Sequence, residues 1–121
     1  MSYTDGFVLC VSNKKLAAYA RLSRAACKIW MKHGALEYRE CAGDDLATPM
    51  GRPFTKLAGA KKGETVVFSW IRYKSRAHRD AVNAKAMKDP SMLKLCNAMN
   101  MPFDVKRMSY GGFRGFVEAS T

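Results

Sequence analysis

Two segments of this chain, Gly6 to Val11 and Thr65 to Lys74, carry apolar side chains on consecutive positions rather than on alternate ones. In an extended chain successive side chains point to opposite faces. Phe7, Leu9 and Val11 therefore share one face of a first strand, and Val8 and Cys10 share the other. In the second segment Val66, Phe68 and Trp70 fall on one side, and Val67, Ile71 and Tyr73 on the other. Between them the period changes. From Lys14 to His33 the apolar residues Leu16, Tyr19, Ala20, Leu22, Ala26, Cys27, Ile29, Trp30 and Met31 gather on one broad arc at 100° per residue, as expected of an amphipathic helix. Ser12 or Asn13 is positioned to cap it, and Gly34 to end it.

The remaining elements follow from punctuation. Ala35 to Cys41 reads as a second strand. Residues 43–63, with Pro49, Pro53 and several glycines, are long for a connection, so a functional loop or a short edge hairpin is expected. The segment Thr65 to Lys74 is the third strand, and Ser75 is the cap of a second helix ending near Lys88, before Pro90. A short helical piece is expected over Ser91 to Met99. A last strand falls within Val105 to Val117, with a bulge or bend at Gly111-Gly112. Strand, helix and strand thus occur twice over. The economical arrangement is an α+β, ferredoxin-like split β-α-β repeat: one domain over residues 1–121, with an antiparallel four-stranded sheet and helices on one face.

Such a sheet should alternate apolar and polar, because only one face meets helices. The first and third strands do not. Their second apolar face needs a cover, either a second copy of the chain, giving a homodimer, or the long loop folded back over it.

Composition adds constraints rather than an activity. At 121 residues the chain is long enough for one well-filled core, and no apolar run approaches a membrane span. The first residues show no basic region followed by an apolar one, so a cytoplasmic location without membrane attachment is the expectation. Cys10, Cys27, Cys41 and Cys96 lack the paired close spacing of a zinc site, and His33 and His78 form no metal-binding motif. No metal and no cofactor is expected. A nucleophile–base pair of Cys27 and His33 is disfavoured, since Cys27 falls on the apolar arc. The net charge of +11 is spread along the chain, with one local pattern. Lys14, Arg21, Arg24, Lys28 and Lys32 fill the polar edge of the first helix with no acid among them. Arg21, Lys28 and Lys32 are therefore candidates for gripping a nucleic-acid backbone, against the plainer reading of a solvated helix face. His78, at the start of the second helix beside Arg76 and Arg79, is a candidate proton acceptor or anion anchor.

Several stretches together resemble the YbaA-like family of small bacterial proteins. They are Asp5-Gly-Phe-Val, His33-Gly-Ala-Leu-Glu-Tyr-Arg-Glu-Cys41, Val67-Phe-Ser-Trp-Ile71, Ser75-Arg-Ala-His-Arg-Asp-Ala-Val-Asn83, Asn100-Met-Pro-Phe-Asp104 and Gly111-Gly-Phe113. The resemblance implies a dimeric α+β barrel, in which two ferredoxin-like sheets face each other, and it implies no activity. Enzymes of the wider superfamily commonly hold ligands between sheet and helices, an analogy at the level of fold alone. It marks Tyr19, Trp30, Trp70, Tyr73, His78 and Arg79 as candidate ligand-pocket residues. Two functions follow as expectations: a pocket for a small anionic or aromatic molecule, possible enzymatic use included, or RNA or acidic-partner binding through the helix over residues 14–33. No catalytic residue is assigned.

Overall fold

Tyr3–Ser12 forms β1, Leu16–Lys32 α1, Glu37–Ala42 β2, Phe54–Ala58 α2, Glu64–Tyr73 β3, Arg76–Lys88 α3, Pro90–Ala98 α4 and Ser109–Arg114 β4 in a computed structural model that describes residues 1–98 and 101–121. The strands make one antiparallel sheet in the order β2-β3-β1-β4. This is the expected split β-α-β arrangement, with the two strands that are apolar on both faces at its centre.

Register fixes which residues share a face. Leu9 lies opposite Val67 on neighbouring strands, Phe7 opposite Tyr110, and Glu40 opposite Ser69. On the side facing α1, α3 and α4, the core forms two clusters. Leu9, Val11, Tyr19 and Val67 make one; Ala35, Ile71, Tyr73 and Val82 make the other, with Phe7 packed against both. Each fully buried aliphatic side chain of this kind contributes about 1.5–3 kcal/mol relative to exposure.

Local chemistry sets the ends of the helices. Gly34 closes α1 at φ 109°, a conformation that favours glycine, and its N–H donates to the Met31 carbonyl. The Ser75 hydroxyl accepts from the His78 N–H at 3.1 Å and caps α3 as expected. Asp89 then joins three elements. One carboxylate oxygen accepts from Ser91 N–H at 2.8 Å, at the start of α4. The other meets His33 Nε2 at 2.6 Å and Lys32 Nζ at 3.3 Å at the end of α1. These bonds hold the Asp89 carboxyl well below the usual carboxylate range, His33 being the largest cause.

Four expectations are corrected. Neither Ser12 nor Asn13 caps α1 through its side chain. Instead a 3-10 turn over Asn13–Lys15 leads into the helix, and the Asn13 amide oxygen accepts from the Thr65 hydroxyl. The long connection contains no hairpin but the single short helix α2. That helix lies on the sheet face opposite the other three: the Cys10 thiol reaches the Ala58 carbonyl at 3.5 Å, and Phe54 stacks on Phe68 at 6.0 Å. The helices are therefore not all on one face. Lastly, Gly111 and Gly112 form no bulge, since pairing runs unbroken from Val8 with Ser109 to Tyr3 with Arg114. Gly112 is needed for space: a Cβ there would collide with the Tyr3 ring. The helical piece expected to run to Met99 is seen as α4 to Ala98, and Met99 lies outside the described residues.

Candidate functional site

A cavity of about 290 Å³ lies between the sheet and the helices. Its floor is the helix-facing side of β1, β2 and β3, including Phe7, Leu9, Tyr38, Glu40, Ser69 and Ile71. One wall is the apolar arc of α1, with Tyr19, Leu22, Ala26 and Trp30. Met92 and Leu95 of α4, with Met101, Phe103 and Met108 beyond it, close the far side. The sequence builds this space with small residues at facing positions: Ser23 and Ala26 on α1 stand over Ser69 on β3, where larger side chains would fill the gap.

The polar chemistry of the cavity is concentrated in one group. The Tyr19 hydroxyl donates to one oxygen of Glu40 at 2.7 Å, and the Tyr38 hydroxyl donates to the other at 3.0 Å. Burial, and then the adjacent Glu40 charge, push both phenols well above the usual tyrosine range. They are hydrogen-bond donors at neutral pH. Tyr19, Ser23, Tyr38 and Glu40 also border an outer cleft of about 380 Å³ between α1 and β2, so the carboxylate stands in the partition between interior and surface.

The candidates named from sequence divide between two ends of the molecule. Tyr19 and Trp30 line the cavity, and the Trp30 indole N–H is anchored on the Asn83 amide oxygen at 3.0 Å. Trp70 borders the cavity along its strand, but its indole belongs to the opposite sheet face, where it donates to Glu37 at 2.9 Å and packs on Phe68. Tyr73, His78 and Arg79 lie outside the cavity. Tyr73 is fully buried and donates to Asn83, with the His78 ring edge-on at 5.9 Å. His78 Nδ1 accepts from the Lys74 N–H at 2.9 Å, so that lone pair is engaged by the backbone. Arg79 bonds Asp5 at 2.6 Å and Asp80 at 2.7 Å and lies 5.0 Å from the Tyr3 ring centroid. Burial nevertheless raises the Asp5 carboxyl above its ordinary value, outweighing the attraction of Arg79.

Neither Glu40 nor Tyr38 stands out in the sequence as a site residue. Alternation along β2 puts them on one face, which is the only signal available; that Glu40 meets Tyr19 depends on the pairing of β2 with β3. On the outer side, Arg21, Lys28 and Lys32 are exposed along α1, and Lys32 reaches Asp89. Among the described residues no group of three or more His, Cys, Asp or Glu side chains is arranged to hold a metal ion. No helix of the described residues is long and apolar enough to cross a membrane.

Known proteins give the context. The chain is 41% identical to the Escherichia coli (strain K12) protein described as uncharacterized protein YbaA, over 118 residues covering 98% of this chain and 99% of that one. The Shigella flexneri YbaA matches to the same extent. Among solved structures, a point mutant of SnoaB, a cofactor-independent oxygenase from Streptomyces nogalater, superposes with a TM-score of 0.58 at 14% identity, over 97% of this chain and 95% of that one. A dimeric ferredoxin-like protein from an uncultured marine organism superposes with a TM-score of 0.50 at 16% identity, over 99% and 98%. At these identities the two structures speak for the ferredoxin-like fold. The family described as protein of unknown function (DUF1428) matches residues 2–105, and with the YbaA identity this shows that the chain belongs to the DUF1428 family.

Proposed function

We propose that this protein is a homodimer that binds a small, apolar-bodied molecule in the cavity between its sheet and helices. The observation that carries the reading is the cavity itself: a half-open space lined mostly by aromatic and aliphatic side chains, with one convergent polar cluster at Glu40, the usual make-up of a small-molecule site. Its volume suits a ligand of one or two rings. Of the two ligand types expected from sequence, the aromatic one has the support, because Arg79 and His78 lie elsewhere, and of the two charged lining residues Arg39 is paired with Glu37 while Glu40 has no cation within salt-bridge distance among the described residues.

The dimer rests on the other face of the sheet. There α2 covers Cys10 and Val66, which are buried, but Phe68 is 45% exposed and Phe113 64% exposed beside Val8, Gly6 and Gly111. The long connection thus covers part of this face, and a second sheet is the economical cover for the rest. The marine ferredoxin-like protein is described as dimeric, in keeping with this arrangement.

The test is a set of one- and two-ring aromatic compounds titrated against the protein labelled for nitrogen NMR. The Trp30 indole N–H signal should move while the Trp70 signal, on the opposite face, moves less. Ala26→Phe, which fills the cavity, should abolish the response. If no compound shifts Trp30, or if Ala26→Phe leaves the shifts intact, the pocket reading fails.

A further inference from the structure

Four carboxylates lie on the strands, Asp5, Glu37, Glu40 and Glu64. Three of them have an arginine. Asp5 takes Arg79 at 2.6 Å, Glu37 takes Arg39 at 3.0 Å with Arg72 at 3.6 Å, and Glu64 takes Arg107 at 2.7 Å. Glu40 differs: its partners among the described residues are two neutral phenols. A carboxylate offers about four acceptor positions, and the phenols use two. The remaining capacity belongs to a carboxylate that borders a largely apolar cavity whose one lining cation, Arg39, is engaged by Glu37 at 3.0 Å, in a protein whose net charge is +11. Glu40 is half-buried, and charges drawn even partly out of water are ordinarily paired.

From this we infer that the ligand of the cavity supplies the missing cation: it is an amine, protonated at neutral pH, carried on a flat apolar body of one or two rings. The inference rests on the pocket reading above. The aromatic lining fits that chemistry. Phe7, Tyr19, Trp30, Tyr38 and Phe103 surround the space with aromatic rings, which attract a cation placed over their faces. Tyr19 and Phe103 meet edge to face at 5.6 Å, a fixed pair rather than a loose one. The two phenols hold the carboxylate in one orientation, so the ammonium meets a preset acceptor instead of ordering it. The outer cleft that shares Tyr19, Ser23, Tyr38 and Glu40 keeps the carboxylate in reach of solvent. An anionic ligand would face Glu40 directly and is disfavoured.

A charge series on one framework tests this: 2-naphthylmethylamine, the uncharged 2-methylnaphthalene and the anionic 2-naphthoate, each titrated at pH 7 with Trp30 as the reporter. The amine should bind at least ~10-fold tighter than the uncharged compound, the scale of one hydrogen bond to a charged group, and the naphthoate weaker than both. In Glu40→Gln the amine should lose its advantage while 2-methylnaphthalene binds as before; Glu40→Leu serves the same purpose should the Gln variant fail to fold. An uncharged compound that binds as well as the amine overturns the inference and leaves the pocket standing. So does an amine preference that survives removal of Glu40. If none of the three moves Trp30, pocket and inference fall together.

Discussion

Asp5 and Glu40 sit on the same face of the same sheet, and their surroundings could hardly differ more. Asp5 is closed in by Arg79, with Tyr3 beneath the guanidinium and the fully buried Tyr73 on the adjoining strand. Its carboxylate is buried and paired with an arginine of the protein itself. Glu40 is answered by two phenols and faces a cavity. One acid holds the fold together; the other stands at a place the fold leaves open. Charge alone therefore says little about function, and what distinguishes the two is whether the protein supplies the counter-charge itself.

That contrast can be broken most severely at Arg79. Arg79→Met should leave Asp5 buried without its cation and cost about 3–5 kcal/mol, read as a fall in the urea midpoint. Asp5→Asn combined with Arg79→Met should recover most of the loss, because no unpaired charge remains. A small effect of Arg79→Met alone would mean that Asp5 is not held by this pair. Next in size is the outer face, where Phe68→Glu should convert a particle of twice 13.5 kDa into one of 13.5 kDa by sedimentation equilibrium, with the circular dichroism of the folded chain retained.

Acid pH gives a graded effect. Glu64 is held down to about 2 by the Arg107 guanidinium and the Lys61 N–H, and Asp89 is held below its ordinary 3.8 by His33, Ser91 and Lys32. Both carboxyls have a lower pKa folded than unfolded. The stability Glu64 contributes is whole above its unfolded value of 4.5 and is lost as pH falls from there towards about 2, while that of Asp89 is whole above 3.8 and is lost at lower pH still. The melting temperature should drop through that window, and Arg107→Gln should flatten the part due to Glu64.

At the cavity the changes should be smaller still. Glu40→Gln keeps one acceptor oxygen, and the phenol that loses its acceptor can turn its oxygen to accept from the new amide N–H; stability should change by about 1 kcal/mol, while the binding series changes order. The smallest expected effect lies on the outer edge of α1. Arg21, Lys28 and Lys32 changed together to Gln should change stability by no more than about 1 kcal/mol, since all three side chains are exposed and the buried Asp89 keeps its bonds to His33 and Ser91 when Lys32 is lost. The same triple variant tests nucleic-acid binding: salt-dependent RNA binding by the wild type that disappears with these substitutions would favour that activity for the ridge.

Much of this architecture was readable from residue order, because it depends on periods and end signals that act within a few residues. The apolar runs of β1 and β3, the stop at Gly34, the cap at Ser75 and the break at Pro90 are of this kind. So was the conclusion that the central strands need cover on both sides. The placement of α2 was not readable, because five residues form too short a helix to show a period, and only its contacts with Cys10 and Phe68 say which face it takes. The glycine pair in β4 misled for a related reason: nothing nearby in sequence reveals that the Tyr3 ring requires the room. The cavity depended on distant partners altogether. Tyr19 and Glu40 are 21 residues apart and Trp30 and Asn83 are 53 apart, so their meeting is set by strand pairing and helix packing. Local sequence chooses the elements, because backbone propensity and capping are short-ranged. Only the assembled fold decides which acid receives an arginine and which borders the cavity.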